Sequence, residues 1–170
     1  MSKAKVDLDG DEKLRDYGDQ TPFYPYGESE ADCELVAFLY HDGYKGKAYR
    51  AKVKVVKSDA EDRVKVGKIY MMAFKLEGKP DQIRAKKKEL RQFVGGVMGQ
   101  NAADESFKAN DAIELLTEAS SVEALDGYGV HISSRDRPAT DKDGKPILDD
   151  KTGVQRIYTN RNFSAFKPAK

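Results

Sequence analysis

Three cations in one short segment raise the first chemical question in this sequence. Within residues 47–57, Arg50, Lys52 and Lys54 alternate with Ala51, Val53 and Val55, and no acid interrupts the run. A period of two is the spacing of an extended strand, so the basic side chains share one face and the apolar ones the other. The chemistry open to such a row is electrostatic capture of a polyanion. The same alternation would also solvate any half-exposed strand and discourage edge-to-edge aggregation, so the row by itself names no ligand.

Covalent chemistry finds less support. There is no glycine-rich phosphate loop, no nucleophile elbow and no cluster of His, Cys and carboxylates at ligand spacing. Cys33 is the single cysteine, which excludes an internal disulfide and fits a reducing compartment. With only His41 and His131 to join it, a zinc site of the usual Cys/His composition is not expected. Both histidines read as ordinary surface or core residues, and Cys33 as a small buried apolar one. Residues 141–150, "DKDGKPILDD", look like a calcium loop but lack the downstream bidentate Glu, which favours a flexible loop. A metal-dependent nuclease built from scattered carboxylates is the remaining enzymatic alternative.

Charge is unevenly distributed along the chain. The net charge is +1 with 35% charged residues and a mean hydropathy of −0.73. Yet residues 1–34 hold ten acids against four bases, residues 45–57 hold six bases and no acid, and residues 151–170 hold five bases and no acid. Segregation of this kind suggests a polyanion-binding face. With no apolar run near 18 residues and no basic-then-apolar leader, the expected location is the cytoplasm, with no membrane partner.

The elements that would position the cations follow from periodicity. Residues 34–40, "ELVAFLY", read as a buried strand, followed by the turn "HDGYKG" and the alternating strand 47–57. Residues 64–76, rich in aromatic and β-branched side chains, read as a third strand with a bulge or bend at Gly67. The period then becomes helical: Ile83, Leu90, Phe93, Val94 and Val97 share a stripe, Pro80 suits the first turn and Gly99 the end. Gly95 and Gly96 weaken the last turn, and "RAKKKELR" reads as a solvated helix face. A second short helix is expected over residues 111–119, capped by Asn110. Residues 128–134 and 154–166 supply the last two strands, the second broken at "TNRN", with a long polar loop between them.

This order predicts a mainly β, α+β domain over residues 32–170, preceded by an acidic, partly ordered arm at residues 1–31. Three meandering strands, a helix, and two further strands is the order of the OB-fold, a five-stranded Greek-key barrel with a helix between strands three and four. Its ligand face would hold Tyr44, Lys45, Lys47, Arg50, Lys52 and Lys54. Arg135, Arg137, Arg156 and Arg161 would extend it, with Tyr70, Tyr158 and Phe163 beside Tyr44 as stacking rings. Cations on phosphates and rings on bases are what single-stranded nucleic acid requires.

The stretches "GYKGKAYRAKVKVVKS", "VGKIYMMAFKLEG", "DQIRAKKKELRQFVGGVMG" and "YTNRNFSAFKP" carry a resemblance, over residues 33–167, to the OB-fold single-stranded DNA-binding proteins of tailed bacteriophages. The resemblance implies a non-enzymatic protein without metal or other cofactor. It would coat single strands in phage DNA replication, recombination or repair in the host cytoplasm. Its implied partners are single-stranded DNA, replication or recombination proteins, and further copies of itself. Many such proteins end in an acidic tail, whereas this chain ends "FSAFKPAK". The competing class is a small phage protein-interaction module.

Overall fold

The alternation that marks the basic segment is realised as the second of five strands. The structure, a computed structural model, describes residues 20–43 and 46–168. The candidates Tyr44 and Lys45 and residues 1–19 of the expected arm lie outside them. β1 (Ser29–Gly43), β2 (Gly46–Ser58) and β3 (Ile69–Lys75) form the expected meander. Helices α1 (Pro80–Met98) and α2 (Ala109–Ser121) follow, and β4 (Gly129–Pro138) and β5 (Ile157–Ala165) complete a mainly β, α+β domain. All pairings are antiparallel, in the order β3-β2-β1-β4-β5.

β1 is the hinge of this arrangement. Its first half pairs with β4 from Ser29↔Ser134 to Glu34↔Gly129, while its length from Ala31 to Gly43 pairs with β2. Register shifts at Asp32/Cys33 and Leu35/Ala37 bend it between these two partners. Beyond the bend its free edge turns to α2, where Ser120 Oγ accepts the Phe38 N–H at 2.9 Å. β1 therefore begins inside the segment expected to be an arm. The acids Glu30, Asp32 and Glu34 alternate with Ala31, Cys33 and Leu35, each at most 3% exposed, so residues 29–34 form a strand with one wet and one dry face.

Aromatic rings knit the sheet to α1. Phe93 stacks on Phe38 of β1 and meets Phe74 of β3 and Phe163 of β5, each with ring centroids 5.2 Å away. Pro80 opens α1 and Gly99 ends it in the left-handed conformation (φ 69°), as the sequence pattern anticipates. The glycines that weaken its last turn have a packing reason. A Cβ on Gly96 would lie 3.1 Å from both Ser164 O and a Val130 methyl, so the missing side chain lets α1 press against β4 and β5. Gly67 lies in the turn before β3 (φ 87°) rather than within a strand, and β5 runs unbroken through "TNRN".

One part of the expected architecture is corrected: the sheet is not closed into a barrel. β3 and β5 approach through Phe74 and Phe163 but share no ladder among the described residues. Residues 22–27 fill part of the opening. Pro22 O accepts the Met71 N–H at 2.8 Å and Tyr24 N–H donates to Met71 O at 3.0 Å, so the β3 edge pairs with this segment. On the other side Arg161 of β5 donates to Tyr24 O and Pro25 O, and Gly27 N–H donates to Thr159 Oγ1. Arg63, from the β2–β3 connection, clamps the same segment through Tyr26 O and Glu28 O. No helix among the described residues is long and apolar enough to cross a membrane.

Candidate nucleic-acid interface

On β2 the inward side chains Ala51, Val53 and Val55 are at most 1% exposed, which commits Arg50, Lys52 and Lys54 to the outer face. Their cross-strand neighbours there are Leu39 and Ala73, Ala37 and Met71, and Glu34 and Ile69 respectively. The row is thus a basic stripe set among small and apolar groups, with one acid opposite Lys54. Lys47 is exposed near the hairpin end, opposite Asp42.

Several predicted contacts lie elsewhere. Tyr70 is 3% exposed: its ring meets Tyr24 edge-on, and its hydroxyl donates to Arg63 O and accepts the Lys65 N–H. It belongs to the core, as the face it shares with Met72 and Phe74 required. Phe163 is likewise spent on Phe74 and Phe93. Arg161 staples residues 24 and 25 to β5 and lies between the Tyr24 and Tyr26 rings, at 5.3 and 5.5 Å from their centroids. Arg156 is exposed at the entry to β5, its backbone pairing with Ala139 and Ile147 of the preceding loop. In that loop Asp141 and Asp149 accept the N–H groups of residues two to four positions on, so their carboxylates shape its turns.

Arg135 and Arg137 alternate on β4 with the buried Val130, Ile132 and Ser134 and so project outward, with Tyr158 of β5, about half exposed, opposite Arg137. Together with helix α1 and β5 they line a cleft of about 470 Å³. The helix contributes Lys86, Lys88, Glu89 and Gln92, β5 contributes Asn160, Arg161 and Asn162, and Tyr26 stands at the rim. Lys86 pairs with Glu89 at 3.3 Å, whereas Lys88 and Arg137 have no ion-pair partner among the described residues. "RAKKKELR" is solvated, with Lys88 exposed, and what its sequence does not show is that this part of α1 also lines a cleft with β4 and β5. The available signal was that three consecutive lysines cannot all point away from the sheet.

Between the β2 row and this cleft, β1 carries the acids Glu30, Asp32 and Glu34. Two of them, Glu30 and Asp32, meet His131 of β4, whose Nδ1 lies 2.6 Å from Asp32 Oδ1 and Nε2 2.9 Å from Glu30 Oε1. A neutral imidazole has one N–H, so both bonds form only when His131 is protonated. Partial burial works against that charge, but the bonds to Asp32 and Glu30 outweigh it and raise the pKa above 6.5. Glu30 is held below its ordinary value by hydrogen bonds from Ser133 and His131 and by Arg135, whose guanidinium lies 2.6 Å away. A raised folded-state pKa contributes stability that is whole below the unfolded value and is lost as pH rises through the folded one. Urea midpoints should therefore fall as pH rises from about 6.5, the ordinary imidazole value, through the raised folded-state one. His131→Gln, which cannot take up the proton, should flatten that part of the profile; an unchanged profile would mean that the cluster is electrostatically silent.

Cys33 is fully buried, and burial, aided by the Asp32 charge, pushes its thiol up to about 12, leaving an unreactive apolar group. No group of three or more His, Cys, Asp and Glu among the described residues is arranged to hold a metal ion. No protein-family model matches the chain, and no curated protein is similar enough in sequence to count as a relative.

Proposed function

We propose that the protein binds single-stranded DNA without sequence preference and without catalysis, coating strands during phage DNA replication, recombination or repair. The observation that carries this reading is the sorting of faces. Arg50, Lys52 and Lys54 on β2 and Arg135 and Arg137 on β4 all project from the outer side of a sheet whose inner side is filled with apolar and aromatic groups. The meander, the inserted helices and the placing of β4 beside β1 support the OB-fold resemblance, in which oligonucleotides lie across the second and third strands.

The mechanism is capture of phosphates with release of counterions, plus stacking of bases on exposed rings. Affinity for labelled oligo(dT), followed by fluorescence anisotropy, should therefore fall steeply with salt, by a log–log slope of about 0.7 per phosphate contacted. Absence of binding at low salt, or equal preference for duplex, would sink the proposal. A second reading, a protein-interaction module, is favoured by Leu39, Val56 and Ile69, which are 39%, 43% and 37% exposed beside the same cations. A partner that stays bound to this face after nuclease treatment would support it.

A further inference from the structure

The cleft between α1 and the β4–β5 ladder differs in kind from the β2 row. It is concave and polar, and it combines cations from a helix and a strand with an exposed ring. We propose that this cleft is a second seat for the same strand, in which Lys86, Lys88 and Arg137 grip phosphates and Tyr26 stacks on a base. The inference rests on the reading above that the ligand is a single-stranded nucleic acid.

Tyr26 carries the argument. The residue is 77% exposed, yet it is not loose: the Arg161 guanidinium lies 5.5 Å from the ring centroid, and Arg63 holds the Tyr26 carbonyl at 2.8 Å. One face of the ring is covered by a cation that is itself hydrogen-bonded to residues 24 and 25, and the rest is open. An anchored aromatic with an open face is a stacking platform, and stacking is sequence-tolerant because every base has a π-face. A base in a duplex is already stacked on its neighbours, so only an unpaired one can turn toward the ring while its phosphates lie on Lys86 and Lys88. The amides of Asn160 and Asn162, each a donor and an acceptor, line the wall where a base edge would fall.

The strip of β1 between the cleft and the β2 row engages the neighbouring cations itself, Glu30 and Asp32 holding His131 and Arg135, so it gives a strand no continuous cationic path from one to the other. The two seats are therefore independent contacts whose losses should add.

The test uses the full chain and labelled oligo(dT). Lys86→Glu combined with Lys88→Glu should weaken binding about tenfold or more and make the salt dependence shallower by about 1.4, two phosphates' worth. Tyr26→Ala should weaken binding at an unchanged melting temperature, while Tyr26→Phe, which keeps the ring, should bind as the parent does. An iodouracil-substituted oligonucleotide should cross-link to Tyr26. If the lysine variant keeps the parent's affinity and slope while charge reversal on β2 abolishes binding, the cleft is only solvated surface and the wider reading stands. If the parent itself binds no oligo(dT) at low salt, both fall together.

Discussion

Reversing the charge of Arg50, Lys52 and Lys54 together is expected to lower oligo(dT) affinity about a hundredfold at low salt while leaving a folded protein. Each reversal removes an attraction of up to about 1 kcal/mol typical of exposed ion pairs and adds a repulsion of similar kind. Three at about 1 kcal/mol each give about 3 kcal/mol, or two powers of ten in Kd. The salt slope should become shallower by about 2, since about 0.7 is lost for each of three contacts. Stability is a separate matter. Lys54→Glu sets an acid opposite Glu34, a cross-strand clash of about 0.2–1 kcal/mol. Arg50 is partly buried, and its stem contributes packing beyond its charge. The neutral set Arg50→Gln, Lys52→Gln and Lys54→Gln therefore serves as the companion variant, with thermal melts on both. A reversed variant that folds and binds normally would reduce the alternation to a solvated strand face.

Where periodicity is carried by strongly apolar side chains, the sequence is a faithful guide. Val53 and Val55 against Lys52 and Lys54 placed β2 and its faces, and the stripe from Leu90 to Val97 placed α1 with its ends at Pro80 and Gly99. The first half of β1 was hidden because Ala31 and Cys33 are weak hydrophobic markers between three acids, so the composition looked like an arm. The acidity of residues 1–34 belongs in part to a strand: Glu30, Asp32 and Glu34 lie in β1, and Glu30 and Asp32 are neutralised by His131 and Arg135 from a strand about a hundred positions away. No local pattern could show that pairing. The site was legible only in part. Tyr70, expected as a stacking ring, is a core residue on the face it shares with Met72 and Phe74, and Tyr26 and the lysines of α1 gain meaning only from the tertiary approach of α1 to β5. The open seam between β3 and β5 was likewise unreadable, because strand order does not say whether an edge will be met by a strand or by a neighbouring segment.

That seam yields the largest expected effect on stability. Tyr24→Ala should destabilise the protein by about 3 kcal/mol in urea unfolding, within the range for removing a buried aromatic ring. Tyr24 is 2% exposed, its ring set edge-on to Tyr70 and covered by Arg161. Its N–H and C=O are both engaged, by Met71 and by Arg161. Truncation would remove the ring around which residues 22–27 bridge β3 and β5, and would leave the partly buried Arg161 guanidinium, whose charge burial already disfavours, without one of its aromatic covers. The neighbouring residue supplies the control, because Phe23 is 62% exposed and Phe23→Ala should stay within about 0.5 kcal/mol of the parent. Equal, small effects at the two positions would mean that the segment rests on the domain without supporting it. A large loss at Tyr24 alone would make the segment a structural part of the sheet. Tyr26, two residues further on, would then owe its place at the cleft to Tyr24, so Tyr24→Ala should also reduce oligo(dT) affinity under conditions where the variant remains folded.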